Sequence, residues 1–230
     1  EQVVGDTLQS AFNSAGQRCS ALRVLFVQAE IAPRVMSLLD GAMQELVVGD
    51  PSRLATDIGP VIDRPAQQML EAHSHWLQRQ GGRLVATVPV SSIRDVGHFI
   101  APHAFEIDTL KQLTHEVFGP ILHIIPYQAH CLEQVIDAIN QTGYGLTLGI
   151  HSRIDSTIET IKQQARVGNL YINRNMIGAV VGVQPFGGEG LSGTGPKAGG
   201  PHYLYRFLNE RTLTTNTAAL GGNTTLLTMR

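Results

Sequence analysis

The stretch Leu22-Arg23-Val24-Leu25-Phe26-Val27-Gln28-Ala29-Glu30-Ile31-Ala32-Pro33-Arg34-Val35-Met36-Ser37-Leu38-Leu39-Asp40-Gly41-Ala42-Met43-Gln44-Glu45-Leu46 decides the fold. Its opening, Arg23 to Val27, is a short apolar run that reads as a buried strand. From about Glu30 to Leu46, apolar residues recur at Ile31, Val35, Leu38, Leu39, Ala42 and Leu46. That spacing predicts one helical stripe, and Pro33 suits its first turn. A buried strand feeding an amphipathic helix is the repeating unit of a parallel α/β sheet.

Downstream the unit recurs. Gly49-Asp50-Pro51 ends the first one, and residues 51–64 are rich in turns. A helix is predicted from Pro65 to about Gln80, with Ala66, Met69, Leu70, His73, Trp76 and Leu77 inward, stopped by Gly81-Gly82. Strands are predicted at Arg83–Val88, His98–Ile100, near Phe105–Ile107, and at Ile121–Tyr127. Then follow a helix at Leu132–Asn140, a strand at Leu146–His151, a helix at Asp155–Ala165 with Ile158, Ile161 and Ala165 inward, and a strand at Asn169–Asn173. Arg174 to Gly200 reads as a long glycine-rich loop and 201–210 as a short helix. Thr212 to Leu227, rich in Thr and Leu, reads as an extended strand or hairpin able to pair with another surface. The expectation is one mostly parallel α/β domain over 1–210 and a protruding tail over 211–230.

Upstream of the first strand, residues 1–18 are mildly amphipathic and predict a short helix. It leads into the loop Phe12-Asn13-Ser14-Ala15-Gly16-Gln17-Arg18-Cys19-Ser20-Ala21-Leu22-Arg23. A thiol on a loop before a buried strand is rigidly held yet reachable, and Arg18 and Arg23 favour its thiolate. The same residue also reads as a small buried hydrophobe, the common fate of a free cysteine.

Composition narrows the classes. The 230 residues are 43% hydrophobic and 16% charged, with a formal charge of −2, which describes a globular core and gives no electrostatic reason for a nucleic-acid partner. The two cysteines, Cys19 and Cys131, are far apart and fit a reducing, cytoplasmic setting, with Cys131 structural. No apolar run approaches the ~20 residues of a membrane span. His73 and His75 fall on different helix faces, so no metal is expected.

Two other stretches carry chemistry. Pro185-Phe186-Gly187-Gly188-Glu189-Gly190-Leu191-Ser192-Gly193-Thr194-Gly195-Pro196-Lys197 suggests a phosphate loop, but Pro196 precedes Lys197 and Gly199-Gly200-Pro201 delays any helix. A closely packed loop near an active centre fits better, and a plain surface loop fits equally well. In Glu116-Val117-Phe118-Gly119-Pro120 the carboxylate suits a ribose diol and the ring a flat cofactor. They read equally as an exposed acid and a core ring.

Together, and in this order, the Phe12–Arg23, Glu116–Pro120 and Pro185–Gly188 motifs resemble the catalytic half of the aldehyde dehydrogenase superfamily. Asn173 to Pro201 looks like a narrower branch, the bacterial bifunctional proline utilization A enzymes. These join a flavin-dependent proline dehydrogenase to an L-glutamate γ-semialdehyde dehydrogenase, and the chain resembles only the second part. The resemblance implies a three-layer α/β catalytic domain with an extended C-terminal tail. Cys19 would attack the aldehyde, the thiohemiacetal would pass hydride to NAD, and water would release glutamate from the thioester. Its backbone N–H would help stabilise the oxyanion. Glu116 and Phe118 would hold the nicotinamide ribose. Ser20 and the amides of Gly178 and Ala179 would grip the substrate carboxylate, and Phe186 would wall its stem.

The family's general base lies in a Glu-Leu-Gly-Gly-like motif upstream of the cysteine, and only 18 residues precede Cys19. With Glu1 in place of a methionine, the expectation is a piece of a longer chain, inactive alone, completed by the parent's remaining domains and by a homo-oligomer. FAD is expected only in the parent's separate domain. Membrane association of the parent is left open, with no role for this segment. Two other readings stand beside this one: a non-catalytic assembly module using the tail, and a cysteine hydrolase.

Overall fold

A computed structural model describes residues 1–89 and 97–216, with 219, 225, 228 and 229 beyond them. Helix α1 (Gln2–Phe12) buries Val4, Ala11 and Phe12 and runs into a 3₁₀ turn at Asn13–Gly16. Strand β1 (Val24–Gln28) and helix α2 (Ala32–Gln44) follow. The inner face of α2 is Ala32, Met36, Leu39 and Met43, whereas Ile31 and Leu38 are exposed. The predicted stripe is thus rotated. This helix carries apolar residues over a wide arc, and packing selects the side with the two adaptable methionines.

Helix α3 (Arg64–Arg79) starts where Asp63 accepts from the Ala66 amide at 2.8 Å, and it buries Leu70, His73 and Leu77 as predicted. Strands β2 (Arg83–Thr87), β3 (His103–Glu106) and β4 (Ile121–Tyr127) complete a sheet of order β1-β4-β3-β2. The β1–β4 and β3–β4 pairings are parallel and β2–β3 is antiparallel. The strand predicted at His98–Ile100 is irregular instead. Its carbonyls are taken locally, His98 O by the Val61 amide (2.8 Å) and Phe99 O by Gln67 Nε2 (2.8 Å), which leaves no ladder to join.

Helix α4 (Leu132–Gln141), strands β5 (Tyr144–Gly145) and β6 (Thr147–Ile150), helix α5 (Asp155–Gln164) and strand β7 (Asn169–Ile172) come next. β6 and β7 pair in parallel with α5 as their crossover. No residue of α5 is fully buried, and Ile158, Ile161 and Ala165 are only half covered. The glycine-rich segment is not wholly a loop: β8 (Glu189–Gly190) pairs with β5, and Phe186 bridges to Ala198. In place of a helix over 201–210 there is a 3₁₀ stretch, Tyr203–Phe207. Its Leu204, Tyr205 and Phe207 all face solvent, so no packing extends it. Residues 211–216 are exposed without regular structure, and most of the predicted tail strand lies outside the described residues.

Strand β4 is buried from Ile121 to Ile125, and Phe12, Leu39, Met43, Leu70, Phe105 and Leu122 pack around it in one core. Its central residue is polar. His123 is fully buried, with Nδ1 2.8 Å from Arg23 O and Nε2 2.9 Å from His73 Nε2. A carbonyl only accepts, so His123 carries its proton on Nδ1 and accepts at Nε2 from His73.

Candidate active site

Two loops enter adjacent parallel strands from the same end. The cysteine loop feeds β1, and the Glu116–Pro120 segment, at the end of the β3-to-β4 crossover, feeds β4. Val24 of β1 lies opposite His123 of β4. Residues nearly a hundred positions apart thereby become neighbours.

Before the thiol the backbone reverses hand. Ser14, Ala15 and Gly16 have φ of 57°, 52° and 65°, a left-handed run that L-residues avoid. Gly16 is required there, since a Cβ on it would lie 2.2 Å from Gly119 O. The Ala21 amide then donates to Arg18 O at 3.1 Å, closing a turn with Cys19 and Ser20 at its tip. Cys19 is exposed, so the buried-hydrophobe reading fails. Gln17 anchors the turn from outside, donating to Pro60 O (3.3 Å) and accepting from the Ile62 amide (2.7 Å).

The two arginines beside the thiol diverge. Arg18 Nε donates to Ser14 Oγ at 2.9 Å. Arg23 turns inward to Glu116, and it also interacts electrostatically with Cys19. Burial lowers the Arg23 pKa while Glu116 opposes that shift, and a guanidinium stays charged either way. Across from it, Val117 is buried while Glu116 and Phe118 on either side are exposed. That alternation points the acid and the ring outward together.

Ser20 is buried behind Cys19, and its carbonyl accepts from Thr147 Oγ1 of β6 at 3.4 Å. The segment leading to Gly178 is docked on α1. Gln2 Nε2 donates to Asn173 O (2.7 Å), Asn175 Nδ2 to Gln9 Oε1 (3.0 Å), and the Met176 amide to Ser10 Oγ (3.1 Å). Neither the Gly178 nor the Ala179 amide donates to another group among the described residues. Gly178 also has φ +70°, with open space where a Cβ would stand. Both amides are thus left open to an outside acceptor.

Phe186 is half buried on a loop pinned at three points. Asn169 Nδ2 donates to Pro185 O (3.0 Å), Asn169 Oδ1 accepts from the Gly187 amide (3.2 Å), and Lys197 Nζ donates to Gly168 O. That bond gives Lys197 an anchoring role. Asn169, Gln17 and Ser10 escaped the sequence reading because their partners are distant in the chain and no motif marks them. A cleft of about 480 Å³ between α2 and the sheet, lined by Met36, Asp40, Arg83 and Glu106, contains none of these site residues.

The α/β domain thus presents an exposed thiol on a turn that Arg23 links to an outward acid and ring. The aldehyde dehydrogenase family model matches residues 1–213, and the chain belongs to that family. The bifunctional protein PutA of Escherichia coli K12 is 56% identical over 216 residues, 92% of this chain and 16% of that protein. The 1-pyrroline-5-carboxylate dehydrogenase of Geobacillus kaustophilus is 36% identical over 215 residues, 93% of this chain and 41% of that one. Among solved structures, a mutant of Bradyrhizobium japonicum proline utilization A superimposes with TM-score 0.87 and 59% identity, over 95% of this chain and 22% of its own. A Thermus 1-pyrroline-5-carboxylate dehydrogenase with bound NAD gives 0.81 and 33%, over 90% and 40%. The chain thus spans about a sixth of the Escherichia coli protein's length.

Proposed function

We propose that these residues form the nucleophile-bearing part of a cytoplasmic NAD-dependent dehydrogenase that oxidises L-glutamate γ-semialdehyde to glutamate in proline catabolism. The observation that carries it is the placement of the exposed Cys19 turn beside Glu116 and Phe118. The PutA and pyrroline-carboxylate dehydrogenase relatives support the substrate.

Cys19 attacks the aldehyde carbon and forms a thiohemiacetal, and the turn's own N–H at Cys19 faces the oxyanion. Ser20 and the amides of Gly178 and Ala179 hold the α-carboxylate, with Phe186 along the aliphatic stem. The residues fit the cofactor, because Glu116 has one carboxylate oxygen without a partner among the described residues and Phe118 has an open face. When bound, NAD supplies the hydride acceptor. General-base and further dinucleotide contacts come from the parent's other domains, where a separate flavin domain also belongs, and the 230 residues alone are inactive. The exposed Leu204, Tyr205, Phe207, Leu208 and Leu213 favour a second role for the C-terminal segment, as an oligomer contact.

In the full-length protein, Ser20→Ala should raise the KM for the semialdehyde about tenfold and leave that for propanal, which has no carboxylate, unchanged. Equal effects on both would refute the carboxylate site. NAD-dependent turnover by the 230 residues alone would refute their incompleteness. Deleting 203–230 from the full-length protein should lower the mass measured by light scattering, and an unchanged mass refutes the assembly role.

A further inference from the structure

Every nitrogen of the Arg23 guanidinium is engaged, and each partner belongs to one of the two loops. Nε and Nη2 both lie 3.1 Å from Glu116 Oε1. Nη2 also donates to Arg18 O at 2.9 Å, and Nη1 to Gly16 O. Cζ sits 4.6 Å from the centre of the Phe118 ring. The Arg23 side chain is only 15% exposed, against 38% for Glu116. Arg18 O is also the carbonyl that closes the cysteine turn. One half-buried cation therefore ties that turn to the acid and the ring, while Glu116 Oε2 has no partner among the described residues. A carboxylate gripped through one oxygen offers the other in a fixed direction, which is what bonding a diol requires.

We infer that Arg23 is a positioning residue for the cofactor, setting Glu116 Oε2 and the Phe118 ring at a fixed place relative to the Cys19 turn. This rests on the reading of Glu116 as the ribose carboxylate. The thiol turn has its own supports, the Ala21–Arg18 bond and the Gln17 anchors, so loss of Arg23 acts mainly on the acid and the ring. Lysine is no substitute, since its three N–H bonds radiate from one nitrogen, whereas Arg23 uses three separate nitrogens of a flat group that lies on the ring.

The test is steady-state kinetics on the full-length protein, varying NAD and aldehyde separately. The variants are Arg23→Lys, Glu116→Gln and their combination, with iodoacetamide labelling of Cys19 in the absence of NAD. Arg23→Lys should raise the KM for NAD about tenfold, the loss of a charge-assisted hydrogen bond. Labelling and the aldehyde KM should stay within about twofold, because the turn is held independently. The double variant should be no worse than Glu116→Gln alone, since both remove one device. Multiplying effects would overturn the inference, as would a normal NAD KM in Arg23→Lys when Glu116→Gln has raised it. If Glu116→Gln itself leaves the NAD KM unchanged, the ribose reading fails and takes this inference with it. Arg23→Gln, a shorter neutral donor, gives the same comparison where the lysine variant does not fold.

Discussion

Gly16 and Gly119 meet backbone to backbone, so closely that a methyl on the first would overlap the carbonyl of the second. This contact seats the thiol loop on the acid-bearing loop, and it allows no side chain. Gly16→Ala also imposes a left-handed φ on alanine. Stability should fall by roughly 2–4 kcal/mol in urea unfolding, the range for a substitution that meets both clash and strain. Activity of the full-length protein should fall further than that loss of folded material explains.

Cys19→Ala removes the proposed nucleophile from an exposed turn and leaves Arg23 and Glu116 in place. Dehydrogenase activity should vanish in the full-length protein, while NAD affinity, read by calorimetry, stays within about twofold because no cofactor contact is lost. Surviving activity would refute the assignment of the nucleophile.

The histidine pair His73–His123 predicts an acid-sensitive fold. Burial lowers both pKa values from 6.5 to about 4, with His115 adding to the shift at His73 and His73 and Arg23 to that at His123. His103, half-buried beside Ser74, is lowered to about 4 as well, by its burial and then by His75. The unfolded chain then binds more protons than the folded one between these values. The stabilisation is complete above pH 6.5 and is lost as pH falls towards about 4. Between pH 7 and 5, unfolding free energy should drop by on the order of 2–4 kcal/mol. A variant with both His73→Leu and His123→Leu should show a shallower slope in the same titration.

Asn169→Ala strips both amide contacts from the Pro185–Gly188 loop. Unfolding should cost about 1–2 kcal/mol less, the value of two neutral hydrogen bonds partly replaced by water. The KM for the aldehyde should rise more than that for NAD, because Phe186 loses its fixed place. Equal changes in both constants would mean that the loop does not shape the substrate site.

Local pattern was sufficient where caps and periodicity agree. Helix α3 has its aspartate cap and glycine stop, and β4 is an unbroken apolar run. It was insufficient where tertiary contacts decide. The face of α2 depended on packing, and His98–Ile100 lost its ladder to Val61 and Gln67. The site divides the same way. Cys19 and Glu116 stand in recognisable short motifs, but their adjacency follows from the parallel register of β1 with β4, which no local spacing encodes. Arg18 and Arg23 look equivalent beside the thiol in the sequence. Only the fold shows that one bonds Ser14 and the other reaches across to Glu116.

The bend at Gly119 and Pro120 sets a limit on how this segment can change length. Both residues are buried, a Cβ on Gly119 would lie 2.4 Å from the Leu70 side chain, and Gly16 closes on the Gly119 carbonyl. An inserted residue would have to displace α3 or the thiol loop before β4 begins. Length changes near this motif therefore belong on the far side of the crossover, around Leu110–Gln112, where no residue is buried.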